Sequence, residues 1–450
     1  MDSELTNKNS DDGVYVENPS VVDGLPEESL TAAGLGSELG SRGGAIGGRK
    51  AAATFIFLTV ALDMLAMGMI APVLPKLIES YVQGSAVRTA DFLGWFGTVF
   101  AVMQFLFSPI LGSLSDKFGR RPIVLLSNIG TGLDYFVMAL APTLGWLFVG
   151  RVISGITASS IPTAMAYAAD VTPKEKRAGA FGMLSAAFGI GFVMGPAIGG
   201  LLGKVDPRLP FWAAGGLSLL NGCYGIFVLP ESLKKENRTA FRWSRANPVG
   251  SLTLLRRHKE LLGMAAVLLL GYLAQQSLMN VYVLYTDYRY HWTTDTVGYS
   301  LAVIGIGSAV VGGLLVKRAI PKFGDRGTLL LGLMSGVAGY CLFGISQTGM
   351  LFWLGIPLLN GMSLAWPTAQ GLMSHHVTAG EQGQLQGAIN GLRGLAGMVG
   401  PVMFTFVFAR AIVPGSSVQL PGAPFYLAAL MVLLSAVAAV LVTRKQLVTS

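Results

Sequence analysis

Residues 112–122 read GSLSDKFGRRP: three basic residues, one acid and two glycines within eleven positions. The stretch before them, AVMQFLFSPIL (101–111), and the stretch after them, IVLLSNIGTG (123–132), are almost wholly apolar. A charged knot between two apolar runs is stable where the runs lie in hydrocarbon and the knot lies in water. Composition supports that solvent. Of 450 residues, 52% are hydrophobic and 12% charged, about half the charge of a soluble domain. So few polar side chains cannot coat a soluble surface.

Outward from the knot, the chain divides into apolar runs of roughly 20 residues, the length an α-helix needs to cross a bilayer. Twelve such spans are predicted, at 51–75, 92–114, 122–142, 144–169, 179–203, 210–230, 260–286, 295–316, 327–347, 350–373, 384–410 and 423–443. The net charge of +8 is distributed as a topology signal. With the N-terminus inside, 24 Lys and Arg fall on the inner side and six on the outer: Lys76, Arg88, Lys204, Arg208, Arg289 and Arg410. Arg151 and Arg393 remain within spans. The excess of inner cations predicts both termini in the cytoplasm, and no nucleic-acid partner is needed to account for the charge. Residues 1–50 are polar, acidic and Gly/Ser-rich, without the basic start of a signal peptide, and are expected to form a disordered cytoplasmic tail. Cys223 and Cys341 both fall within spans, so no disulfide framework is implied.

The longest hydrophilic interruption, 230–260, follows six spans and precedes six. A repeat is visible across it. DKFGRR (116–121) returns as PKFGDR (321–326), and GFVMGP (191–196) returns as AGMVGP (396–401); Gly119 and Gly324, Gly195 and Gly400, and Gly182 and Gly387 are each 205 apart. The expected organisation is a tail over 1–50, a six-helix bundle over 51–230, a cytoplasmic linker over 231–259 and a second bundle over 260–445. Parallel repeats of this kind place a substrate site near the midplane between them and work by rocking.

Residues 51–445 resemble the major facilitator superfamily, and GSLSDKFGRRP is similar to its signature between helices two and three. LDMLAMGMIAPVLP (62–75), VGRVISG (149–155), GIGFVMGPAIGG (189–200) and EQGQLQGAINGLRG (381–394) resemble the drug:proton antiporters of the tetracycline-resistance type. The resemblance implies an all-α membrane protein of two pseudo-symmetric six-helix bundles. It further implies proton-coupled efflux of a small lipophilic or amphiphilic compound by alternating access, with antibiotic resistance as the associated phenotype. The proton gradient would supply the energy, with no cofactor and no metal. Small-molecule substrate, protons and lipid are the expected partners, and a monomer is expected. The location would be the plasma membrane, or the inner membrane of a Gram-negative bacterium.

The residues themselves suggest roles. In the signature, Gly112 permits close helix approach and Gly119 a tight turn. Asp116 can meet Arg120 or Arg121, or the positive N-terminus of a helix in the other half, and the resemblance implies that this contact gates the cytoplasmic side. In helix five Gly191, Gly195 and Gly199 are four apart, a small-residue face for close packing in lipid, and Pro196 bends the helix. The resemblance associates this motif with export. The charges inside spans are the costly residues: Asp63, Asp134, Arg151 and Arg393. A carboxylate whose charged form is disfavoured by a dry site can take up and release protons near neutral pH. Asp63 and Arg151 stand where the family's proton-linked residues stand; Asp134 and Arg393 can equally be static. Gln104, Gln275, Gln276, Asn280, Tyr282, Asn360 and Gln370, with Arg393, could line a cavity or glue helices together.

Two departures matter. Tetracycline pumps carry a histidine in helix eight and an acid in helix nine, and LAVIGIGSAVVGG (301–313) and LGLMSGVAGYCLFG (331–344) contain neither. The tetracycline–metal chelate is therefore disfavoured as cargo, and proton handling is expected to rest on the first half. No Walker A, HExxH or GxSxG pattern in a suitable context occurs, so an enzyme is not expected. A proton-coupled symporter importing a small organic solute is the alternative reading.

Overall fold

The computed structural model describes residues 54–158, 160–172, 177–241, 243, 254–255, 258–378, 381–415 and 419–449. The expected tail over 1–50 and much of the linker over 231–259 lie outside the described residues. Among the described residues there is no strand. Six long helices come first: α1 (Thr54–Tyr81), α2 (Ala86–Phe118), α3 (Arg120–Leu140), α4 (Leu144–Val171), α5 (Arg177–Val205) and α6 (Leu209–Val228). In the second half, α7 (Lys259–Asn280) is prolonged by a short helix, Tyr282–Tyr290. The run Thr294–Ile345 is 52 residues long, too long for one crossing. Gly324, at φ 69° and ψ 170°, divides it into α8 (294–323) and α9 (325–345). Then come α10 (Gly349–Ser374), α11 (Gln382–Ala411) and α12 (Ala423–Thr449). Twelve crossings result, because eleven apolar runs contain one that is double.

The repeat is thus visible in backbone geometry. Gly119 ends α2 at φ 109° and Gly324 ends α8 at φ 69°. Both occupy the left-handed region, which side chains avoid, so the KFG turn is built the same way twice. Pro196 lies inside α5 and Pro401 inside α11, again 205 apart. In hydrocarbon every backbone group must be satisfied within its own segment, which is why only helices cross. Leu126, Leu133 and Leu140, seven apart on α3, leave an exposed apolar stripe that only lipid would cover without penalty.

Packing is closest where glycines allow it. An added Cβ on Gly195 would sit 2.7 Å from the Gly68 Cα, so the α5 glycine face lies directly on α1. Two seams join the halves: α2 runs along α11, and α5 along α8. Each is tight at one end only. On the first, Gly94 meets Val402, Thr98 Oγ1 donates to the Met398 carbonyl at 2.9 Å, and Gly394 meets Phe105. On the second, Thr294 Oγ1 donates to the Gly200 carbonyl at 3.1 Å, and Gly305 meets Val193. Contact therefore spans eleven residues of α2, about 16 Å at 1.5 Å per residue, roughly half a bilayer core. Towards the Asp116 end, Gly112, Gly182, Gly189 and Gly313 have no heavy atom within 4 Å of where a Cβ would stand. The close approach expected at Gly112 is absent in this conformation, since no neighbouring helix reaches its Cβ position.

These spaces predict opposite signs for one substitution in α5. Gly195→Ala pushes α1 and α5 apart, an overpacking cost of about 1–3 kcal/mol, and lowers the thermal midpoint of the purified protein. Gly189→Ala meets open space and gains about 0.5–1 kcal/mol of helix stability, leaving the midpoint unchanged or raised. Equal melting temperatures for the two variants contradict the packing described.

Candidate functional site

At the Asp116 end, the signature knot is closed upon itself. Arg120 Nη1 pairs with Asp116 at 2.5 Å, and Arg120 Nε donates to Asp170 of α4 at 3.1 Å. Glu231, just beyond α6, accepts the Arg120 backbone N–H at 2.8 Å and lies 3.9 Å from Arg238. Thr239 N–H donates to the Asp116 carbonyl at 3.1 Å. Arg121 reaches the Ile226 carbonyl at 2.5 Å and takes no part in holding Asp116. Asp116 thus meets Arg120, one of the partners its position suggested, and the start of the linker is stitched to the knot. In the second half Glu381, at the foot of α11, meets His258 at 3.3 Å. The Thr378 N–H and hydroxyl, helped by His258, hold its carboxyl down at about 2.

At the opposite end, two ion pairs cross between the halves. Lys76 of α1 reaches Asp287 at 2.6 Å, and Lys204 of α5 reaches Asp295 at the start of α8 at 2.9 Å. Sequence reasoning counted Lys76 and Lys204 only as topology charges. Asp287 and Asp295 gave no signal, since pairing across 91 or 211 residues cannot be read from spacing.

Between the two ends lie the intramembrane charges, and Asp134 and Arg151 sit on neighbouring helices, α3 and α4. Asp134 of α3 is 1% exposed, and the Ser154 hydroxyl of α4 donates to its Oδ2. Arg151, one turn before Ser154, faces Asp134 electrostatically while its guanidinium covers the Phe100 ring of α2, 4.5 Å from the centroid. Tyr135, next to Asp134 and buried, is within electrostatic reach of Arg151 and of Asp63 on α1. Tyr135, Ser154 and Phe100 were not singled out from sequence. Ser154 alone was findable, because it sits in VGRVISG one turn after Arg151.

The polar residues of the spans have separate fates. Gln104 donates to the Ala158 carbonyl at 3.3 Å, tying α2 to α4. Asn280 donates to Gln276 at 3.1 Å, and both lie against the tight part of α11, by Pro401 and Gly400. Asn360 is buried and accepts from Ser308 at 3.0 Å. Tyr282 is wholly buried among Phe343 and Phe352, inside the second half. Gln275 and Gln370 are half-buried. Arg393 is exposed, with its guanidinium 5.0 Å from the Tyr272 ring centroid. Among the described residues no cluster of three or more His, Cys, Asp or Glu could hold a metal.

The crossing ion pairs generate a prediction. The pairs are partly or fully exposed and individually weak, but both act on the same end, so Asp287→Asn with Asp295→Asn together shifts the seam equilibrium towards the parted state. In a Cys223→Ser, Cys341→Ser background, a cysteine replacing the buried Thr405 of the α2–α11 seam is then labelled faster by a soluble maleimide. Unchanged labelling shows that the pairs do not hold this end shut.

The chain matches the Major Facilitator Superfamily model over residues 56–401. It is 36% identical over 356 residues to the class C tetracycline resistance protein of Escherichia coli, covering 78% of this chain and 88% of that one. It is also 36% identical over 365 residues to the class D tetracycline resistance protein of Salmonella ordonez, covering 80% and 90%. Its fold is similar to the crystal structure of the human organic anion transporter MFSD10 (TETRAN), with a TM-score of 0.65 and 23% identity over 87% of this chain and 99% of that one. Twelve crossings in a twice-built plan, seams tight at one end and the family match together place this chain in the major facilitator superfamily.

Proposed function

We propose that this protein is a secondary transporter that expels a small lipophilic or amphiphilic compound in exchange for protons, by rocking the bundles 51–230 and 260–445 about their two seams. The observation that carries the reading is Asp134, buried in α3 and held by the Ser154 hydroxyl beside the charge of Arg151, with Asp63 of α1 within electrostatic reach of the adjoining Tyr135. Two carboxylates and one guanidinium in one low-dielectric region are neutral when they hold one proton. Unprotonated, the group carries one net negative charge, which is costly in a low-dielectric interior. Proton occupancy and seam state are thereby coupled, since the group needs water when charged and tolerates closure when neutral.

The Asp116 end faces the cytoplasm, because it carries the excess of Lys and Arg. The conformation described is then open to the inside. Lys76–Asp287 and Lys204–Asp295 seal the outer end. In the outward-open state, α2 closes on α11 at the level of Gly112, and Asp116 leaves Arg120 for the N-terminus of a second-half helix, whose partial positive charge attracts a carboxylate. The similarity to tetracycline resistance proteins makes tetracycline the first compound to test. However, the stretches 301–313 and 331–344 hold neither histidine nor acid, so a metal chelate would find no hard ligand there, and a metal-free amphiphile suits these walls better.

Inside-out vesicles energised with a proton gradient test the reading with a panel of lipophilic drugs. Asp63→Asn or Asp134→Asn abolishes uptake against a gradient, by tenfold or more on the general scale of lost proton-transfer groups of about 10² or greater, while downhill exchange persists. Uphill transport by both variants that a protonophore still stops overturns the coupling assignment. Asp116→Asn slows turnover without altering expression or insertion, and a wild-type rate in that variant removes the latch role.

A further inference from the structure

Arg393 is unlike the other intramembrane charges. It lies eleven residues into α11, next to Gly394, the point at which the α2–α11 seam stops being tight. It is exposed, and among the described residues no carboxylate comes within ion-pair distance and no acceptor engages its five N–H donors. An exposed guanidinium at that depth is expensive against lipid, so it faces water in the space between the halves. Its guanidinium carbon lies 5.0 Å from the centroid of the Tyr272 ring of α7, and Trp366 of α10 stacks on the same ring with centroids 5.1 Å apart and an interplanar angle of 24°. Gly271 is what lets Trp366 come so close, since a Cβ there would stand 2.6 Å from the indole Cζ3. Three helices therefore present one layered surface: a fixed cation beside a flat π platform. The Tyr272 hydroxyl is buried and has no hydrogen-bond partner.

We propose that Arg393, Tyr272 and Trp366 form the cargo site of the second half, and that it takes aromatic organic anions: a planar ring carrying a carboxylate or sulfonate. The guanidinium fork engages the two anionic oxygens in a bidentate pair, and the half-buried face of Trp366 receives the ring. Tyr272 is a positioning residue, which holds both groups at one height without touching the anion. The division of labour follows from charge. The first half holds the two intramembrane carboxylates suited to a proton, and the second half holds the unpaired cation suited to an anion. This inference rests on the efflux reading for its direction of transport, but the binding preference stands apart from it.

The test uses the purified full chain in detergent and two probes of equal ring size, 2-naphthoate and 2-naphthylmethanol, with affinities measured by calorimetry. The wild-type protein binds the naphthoate at least tenfold more tightly. Arg393→Gln removes that preference and leaves the affinity for the alcohol unchanged, Arg393→Lys retains part of it, and Trp366→Leu weakens both probes. Equal affinity of the wild-type protein for the two probes overturns the proposal. So does an Arg393→Gln variant that loses both ligands in proportion while melting like the wild type. Should Arg393→Gln fail to fold, the wild-type comparison and Arg393→Lys still decide the matter. Naphthoate preference without proton-driven uptake in inside-out vesicles would leave the site standing and sink the efflux direction. Proton-driven uptake of neutral drugs without naphthoate preference would do the reverse.

Discussion

Helices in lipid gain nothing from burying apolar side chains against each other, because the lipid tails are equally apolar. What holds this protein together is close backbone contact, and that depends on where side chains are missing. Gly195 against Gly68 ties α5 to α1, while Gly94, Gly394 and Gly305 set the seams between the halves. Such contact is steep in distance. At the Asp116 end other glycines, Gly112, Gly182, Gly189 and Gly313, meet no neighbour in this conformation.

Charge is arranged differently at the two ends. At the Lys76 end, two lysines from one half meet two aspartates from the other, in a setting wet enough to form and break. At the Asp116 end, all the named ion pairs lie within one half or between that half and the start of the linker. The knot is therefore satisfied locally in this conformation. Between them, Asp134 is buried and held by the Ser154 hydroxyl, one turn after Arg151 on α4.

The transmembrane plan was legible because its signals are local. Apolar runs of the right length and cations on alternate sides arise from transfer energies summed over neighbours in the chain. The Gly119 and Gly324 turn was legible because a repeated glycine in a short loop has few other causes, and both adopt positive φ. The fate of the intramembrane polar residues was not. Asn360 and Tyr282 read as cavity candidates on the same grounds as Arg393, yet the first two are buried in the second half and only the third is exposed. Which face of an apolar helix looks inward is not written in a run that is apolar on every side.

The sequence by itself determined the solvent, the number of crossings, the doubled plan and the residues too costly to be accidental. Tertiary structure alone decided which of those residues meet. Asp134 and Ser154 are 20 positions apart, and Lys76 and Asp287 are 211 apart; their encounters depend on how α3 packs on α4 and α1 on the extension of α7. Packing in lipid is fixed by the shapes of many small contacts acting together, and no window of sequence contains them.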